Sequence, residues 1–270
     1  MLRVGAVAYL NTAPLVEHLV ALAPDIELVM AVPSRLAMDL AAGRLDIGLI
    51  PVVEYFRAGN YTALPGSCIA SRGPVMSVRL CSRVPFARIE TVSWDAGSRT
   101  SVALATLLFR RAGAGTLAGA QLPLGADPRG TTTDAVLAIG DRAMQLPEGA
   151  FPYEMDLGAE WTAWTGLPFV WAFWAVAPNV EVSASVQRAF RRAKELGRAD
   201  IPELAAREAL RLGLDPARCR HYLEHAIRHD LGDDELAGLR LFQEMATAAG
   251  LAPKGVELVF HGRRDPVESP

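Results

Sequence analysis

Up to Val176 the chain alternates short apolar runs of strand character with helix-like segments, and nearly every strand-like run ends in a small polar turn. Arg3 to Ala8 ends in Asn11-Thr12-Ala13-Pro14, where Asn11 or Thr12 can cap a helix running from Pro14 to Val20. Ile26 to Val32 leads through Pro33 to Ser34 and a helix over 35–42 closed by Gly43, and Leu45 to Phe56 is a strand and its exit. The scheme then repeats. Strands are predicted at Ser77 to Arg83, through Ile89-Glu90-Thr91-Val92-Ser93-Trp94, at Ala135 to Gly140 and at Phe169 to Val176, with a helix from Ser98 to Ala112. This order dictates an α/β fold with mostly parallel sheets covered on both faces. After Pro178 the pattern becomes four amphipathic helices, 183–196, 202–212, 216–229 and 233–249.

Two α/β units followed by a helical tail predict two lobes with a cleft, and in such sheets ligands sit at the carboxyl ends of strands beside helix N-termini. The loops to inspect are therefore 10–12, 71–73, 95–101, 140–142 and 165–166. Gly97-Ser98-Arg99-Thr100-Ser101 is the strongest candidate. A helix starting at Ser98 presents unpaired N–H groups and a positive dipole end to an anion. The hydroxyls of Ser98, Thr100 and Ser101 and the guanidinium of Arg99 add donors, although the same spacing also suits a plain N-cap. Asn11 can donate and accept, and Ser71 precedes a Gly-Pro turn; both capping and ligand contact fit each. Gly140 ends a strand, and Asp141 after it can accept a ligand hydroxyl or serve as a helix cap. Thr165 lies near Trp161 and Trp164, two residues better suited to core than to ligand.

Several function classes lose ground. A net charge of −3 over 270 residues, with scattered Lys and Arg, gives no basic face for nucleic acid and no polybasic membrane anchor. The most apolar window, 161–178, is interrupted by Gly166 and Pro168 and reads as buried strand, so no membrane partner is expected. Cys68, Cys81 and Cys219 form neither a disulfide framework nor a zinc ribbon, and no signal core precedes the first strand, which predicts a cytoplasmic protein. His221-Tyr222-Leu223-Glu224-His225 matches a short metallopeptidase pattern, and His229 continues the spacing, but the charged amphipathic context reads as a solvated helix face. Gly-rich phosphate loops are missing, and Gly113 to Gly119 reads as linker, so no cofactor and no metal are expected.

Taken together, "VAYLNTAPL", "DIGLIPVVEY", "IASRGPVMSVRL", "SWDAGSRTSVAL", "AVLAIGDRAM" and "DLGAEWTAWTGLPFVWAFW" resemble the chorismate dehydratase family of menaquinone biosynthesis, which opens the futalosine route; the likeness runs over residues 2 to about 178. Ala8, where a serine is usual, and Met144, where leucine is usual, are small departures. The resemblance implies a two-lobed fold of the type II periplasmic-binding-protein kind, with lobe 1 made of 1–82 and 177–270, lobe 2 of 83–176, and crossing strands at 77–83 and 169–176. It implies a lyase converting chorismate to 3-[(1-carboxyvinyl)oxy]benzoate and water, as a monomer or homodimer. Because the elimination creates an aromatic ring, the protein has mainly to position the substrate and stabilise charge. Asn11 is then the expected catalytic residue, and Ser71, Ser98, Arg99, Thr100, Ser101, Gly140, Asp141 and Thr165 the expected substrate-binding ones. Two alternatives share the fold: the related enzyme acting on dehypoxanthine futalosine, whose pattern has a His-Glu pair where this chain has Gly140-Asp141, and a non-catalytic solute-binding module for a small carboxylate.

Overall fold

The computed structural model describes residues 1–115 and 117–262. Arg263-Arg264, the end of the predicted lobe 1 and Thr116 of the predicted linker lie outside the described residues. Among the described residues ten strands form two five-stranded sheets: β1 (Leu2–Val7), β2 (Ile26–Ala31), β3 (Ile47–Pro51), β4 (Thr62–Ser71), β5 (Val78–Ser82), β6 (Thr91–Asp95), β7 (Ala118–Leu122), β8 (Ala135–Ile139), β9 (Tyr153–Asp156) and β10 (Phe169–Val176). The first sheet has the order β2-β1-β3-β10-β4 and the second β7-β6-β8-β5-β9. The two orders correspond position by position. In each sheet the fourth strand, β10 or β5, runs antiparallel to both neighbours.

That correspondence corrects the predicted crossing points. Strand β5 lies wholly in the second sheet and β10 wholly in the first, so the chain passes between sheets through 72–77 and 157–168. The antiparallel strands have a consequence for the cleft. They present their N-terminal ends, Val78 and Phe169, on the side where the parallel strands present their C-terminal ends. Sequence inspection also misses three strands, β4, β7 and β9, and part of the predicted linker is strand β7. Trp161 to Thr165, predicted as strand, belongs to the helix Leu157–Thr165. Among the described residues no helix is long and apolar enough to cross a membrane.

Strand β10 is buried along its whole length, and the apolar core is continuous across both sheets. The tail helices bridge the two halves. Helix Ala184–Ala199 packs on Ala13–Val16, and helix Asp233–Ala248 packs on β10 and on helix Thr100–Arg111. Helix Ile201–Leu212 reaches the other half, where the Leu212 carbonyl accepts from Gln145 at 2.9 Å. The predicted helix over 216–229 is shorter than expected. It is α-helical over Pro216–His221, passes into a π-turn over Tyr222–Ala226 and is extended at Ile227. That change of backbone sends Tyr222 and His229 inward while His221 and His225 stay exposed, so His229 is not part of a solvated face.

Candidate active site

A narrow cavity of about 60 Å³, partly open to solvent, lies where strand ends of both sheets meet. Its walls come from Tyr9 and Asn11 after β1, Pro51 at the end of β3, Gly97 to Ser101 after β6, Gly140 after β8, and Ser77, Val78, Trp171 and Ala172 at the starts of β5 and β10. Four helices begin on it: Pro33–Ala41, Val52–Ala58, Thr100–Arg111 and Gly140–Gln145. In an α-helix the first N–H groups have no intrahelical acceptor and carry the positive end of the dipole. Their convergence makes the cavity favourable for an anion. Among the described residues Arg99 is the only lining one with a permanent charge, and none of the lining side chains is a carboxylate.

The loop after β6 is built around a buried carboxylate. Asp95 accepts from the Gly97 N–H at 2.9 Å and is ion-paired with Arg142, whose other contacts are the carbonyls of Pro123 and Ala126 at 2.9 Å. This fixes Gly97 and Ser98 against the cavity. The helix starts at Thr100, two residues later than predicted, with Arg99 in the cap position and no side-chain cap. Ser98 is therefore not an N-cap. Its hydroxyl is buried and has no hydrogen-bond partner within the chain. Thr100 Oγ1 accepts from the Val53 N–H at 3.3 Å and joins the starts of two helices, one from each half. Ser101 is buried on the same wall, and Arg99 stands exposed at the mouth.

On the opposite wall Asn11 is held from behind. His229 Nε2 donates to the Asn11 backbone carbonyl at 2.8 Å, and burial pushes this imidazole down to about pKa 4, so it is neutral at pH 7. The Asn11 side-chain carbonyl accepts from the Thr12 hydroxyl at 3.2 Å. Nearby, the phenol of Tyr222 donates to Ser77 Oγ at 2.7 Å. Burial raises the Tyr222 phenol far above its ordinary range, so it acts as a neutral donor to Ser77, itself one of the lining residues. Tyr9 lies across Gly140. A Cβ at Gly140 would come within 2.6 Å of the ring, and φ there is +60°. Burial, with the nearby charge of Asp95, raises the Tyr9 phenol as well.

Six of the predicted residues, Asn11, Ser98, Arg99, Thr100, Ser101 and Gly140, line this cavity together. Three do not. Ser71 is buried behind the wall, accepting from Trp171 Nε1 at 3.1 Å and so fixing the indole whose ring lines the cavity. Asp141 turns away, accepts from the Leu10 N–H at 2.8 Å and lies 3.5 Å from Arg211; it holds the Asn11 loop and does not reach the cavity. Thr165 ends its helix, donating to the Trp161 carbonyl at 2.9 Å and accepting from the Leu167 N–H at 3.2 Å. Tyr9, Ser77, Trp171, Tyr222 and His229 are the contributors that sequence reasoning misses. Tyr9 is two residues from Asn11 and could have been found by that proximity; nothing local marks Tyr222 or His229.

Fold and site define a two-lobed binding-protein-like α/β protein with a cleft suited to a small anion. The chain belongs to the menaquinone biosynthesis family, whose model matches residues 2–248. It is 32% identical over 262 residues to a chorismate dehydratase of Thermus thermophilus, covering 89% of this chain and 93% of that one. It is 27% identical to a chorismate dehydratase of Campylobacter jejuni, covering 92% and 99%. In fold it is similar to protein AF1704 of Archaeoglobus fulgidus, with a TM-score of 0.74 and 19% identity over 93% of this chain and 98% of that one. The periplasmic aliphatic sulphonate binding protein SsuA of Escherichia coli is also similar, with a TM-score of 0.65 and 20% identity over 100% and 96%.

Proposed function

We propose that the chain is a chorismate dehydratase, a hydro-lyase that forms 3-[(1-carboxyvinyl)oxy]benzoate and water in the futalosine route of menaquinone biosynthesis. It acts in the cytoplasm, as a monomer or homodimer, with lobes made of 1–71 plus 169–262 and of 78–156. The observation that carries this reading is the composition of the cavity. Four helix starts, Arg99 and the unpartnered Ser98 hydroxyl face a wall of Trp171, Ile69, Val78 and Ile139, which suits a dicarboxylate with a largely apolar six-membered ring.

In this reaction the ring C–H bond beside the ether oxygen and the neighbouring C–OH bond break. The C–H electron pair becomes the new ring π bond, and the proton leaves with the hydroxide as water. Among the described residues neither carboxylate nor imidazole lines the cavity, and the one phenol that does, Tyr9, has a raised pKa. The proton acceptor in this scheme is the enolpyruvyl carboxylate of the substrate itself. Asn11 and Ser77 hold the departing oxygen, while the helix starts and Ser98, Thr100, Ser101 and Arg99 hold the carboxylates. Incubation with chorismate, followed by proton NMR for new aromatic signals, tests the proposal. The second reading, a solute-binding module, draws on the SsuA-like fold; it predicts saturable chorismate binding without turnover.

A further inference from the structure

One carboxylate joins both passages between the sheets. Asp156 Oδ1 accepts from the N–H groups of Val75 (2.9 Å), Gly158 (2.9 Å) and Ala159 (3.0 Å), and Oδ2 accepts from Met76 N–H at 2.7 Å. Two of these donors belong to the outgoing passage and two to the first turn of the helix on the returning one. Met76 is in the left-handed region at φ +63°, and the Ser77 N–H donates to the Val75 carbonyl at 2.7 Å. Residues 75–77 thus form a γ-turn of the rare, strained kind, with a methionine at its centre. Next along the chain is Ser77, a lining residue of the cavity, whose hydroxyl accepts from Tyr222 and whose backbone carbonyl accepts from the Gly140 N–H at 2.8 Å.

We infer that Asp156 is a positioning residue for the reaction: its Oδ2 holds Met76 in the strained turn that aims the Ser77 hydroxyl into the cavity. This inference rests on the chorismate dehydratase reading for its kinetic arm only. The two oxygens do separable things. Oδ1 caps the helix Leu157–Thr165 and accepts from Val75 at the entry to the turn, while Oδ2 serves Met76 at its centre alone. Asparagine separates them, because with its carbonyl on the three Oδ1 donors its NH2 meets the Met76 N–H, donor against donor. Glycine at 76 adopts a positive φ without needing that bond.

In Asp156→Asn, amide hydrogen exchange of ligand-free protein is expected to show Met76 opening at least about tenfold faster, with Gly158 and Ala159 little changed. Turnover of chorismate is expected to fall roughly 10- to 100-fold in kcat, with KM within about threefold, since a misaimed hydroxyl costs most in the transition state. Adding Met76→Gly is expected to restore at least about half of that loss on a logarithmic scale. Asp156→Ser, which keeps a helix cap but cannot reach the turn, repeats the kinetic loss and serves where the asparagine variant folds poorly. A kcat within about twofold of wild type in both variants, or no recovery with Met76→Gly, overturns the inference. Should wild-type protein not turn over chorismate, the functional reading fails by itself, and an unchanged Met76 exchange rate in Asp156→Asn then overturns the positioning role.

Discussion

Replacing Gly140 by alanine would put a methyl carbon 2.6, 2.7 and 2.8 Å from three carbon atoms of the Tyr9 ring, at a residue whose φ is +60°. Two costs combine. A left-handed backbone costs an L-residue about 1–2 kcal/mol, and overpacking a well-filled contact costs about 1–3 kcal/mol more. Together they predict a loss of roughly 2–5 kcal/mol, equivalent to a fall of roughly 4–9 °C in Tm for a chain of this size. Tyr9 can escape only by swinging off Gly140, and its ring already lines the cavity, so the KM for chorismate should rise at least about tenfold. A double-mutant cycle with Tyr9→Ala separates the terms. Without the ring, Gly140→Ala should cost only the backbone part, about 1–2 kcal/mol. Urea denaturation of the four proteins gives the coupling directly. Equal costs of Gly140→Ala in both backgrounds would refute the packing argument, and a total cost below about 0.5 kcal/mol would refute the backbone argument as well.

Ser98→Ala should raise stability by up to about 1 kcal/mol, because it removes a buried hydroxyl that has no partner. The same change should weaken kcat/KM for chorismate about tenfold, and opposite signs in denaturation and kinetics are the expected signature. His229 has a folded pKa of about 4 against an ordinary 6.5, so its neutral burial stabilises the fold above pH 6.5 and that contribution is lost as pH falls towards 4. At most about 3 kcal/mol is involved. His229→Gln keeps an N–H donor for the Asn11 carbonyl, and the difference between its denaturation curves and those of wild type should shrink steadily over that window. Asn11→Ala should lower kcat by roughly 100-fold or more with the fold intact, while Asp141→Asn, remote from the cavity, should retain measurable turnover in a chorismate assay. Near-wild-type rates for the first, or complete loss for the second, would contradict this division of roles.

The parts of the fold that could be read from sequence are those in which one short segment carries its own signal. Strand β10 is an unbroken apolar run buried on both faces, and its predicted ends agree with the structure. Strand β4 hides because Pro65 and Gly66 interrupt it. The pairing with β10 shifts register there and Gly66 has φ +86°, so the break is a bulge inside a strand. Strand β7 is mostly exposed and carries little apolar signal. Sheet membership of Ser77 to Arg83 and of Phe169 to Val176 depends on long-range pairing, which no local pattern encodes. The site divides in the same way. The loop after β6 announces itself through hydroxyls at a helix start, whereas Tyr222 meets Ser77 across 145 positions, by way of a π-turn. Asp141 and Thr165 stand at the expected strand and helix ends, but their side chains serve neighbouring backbone groups, a competition that spacing alone cannot decide.

The measurement that bears most directly on the whole account is a proton NMR time course of the purified wild-type protein with chorismate. The account predicts that the ring signals of chorismate decay while the aromatic signals of 3-[(1-carboxyvinyl)oxy]benzoate grow in equal amount, with the enolpyruvyl vinyl protons retained, and that Asn11→Ala slows both changes together. Chorismate that binds but persists unchanged, or a product that has lost its enolpyruvyl group, would contradict it.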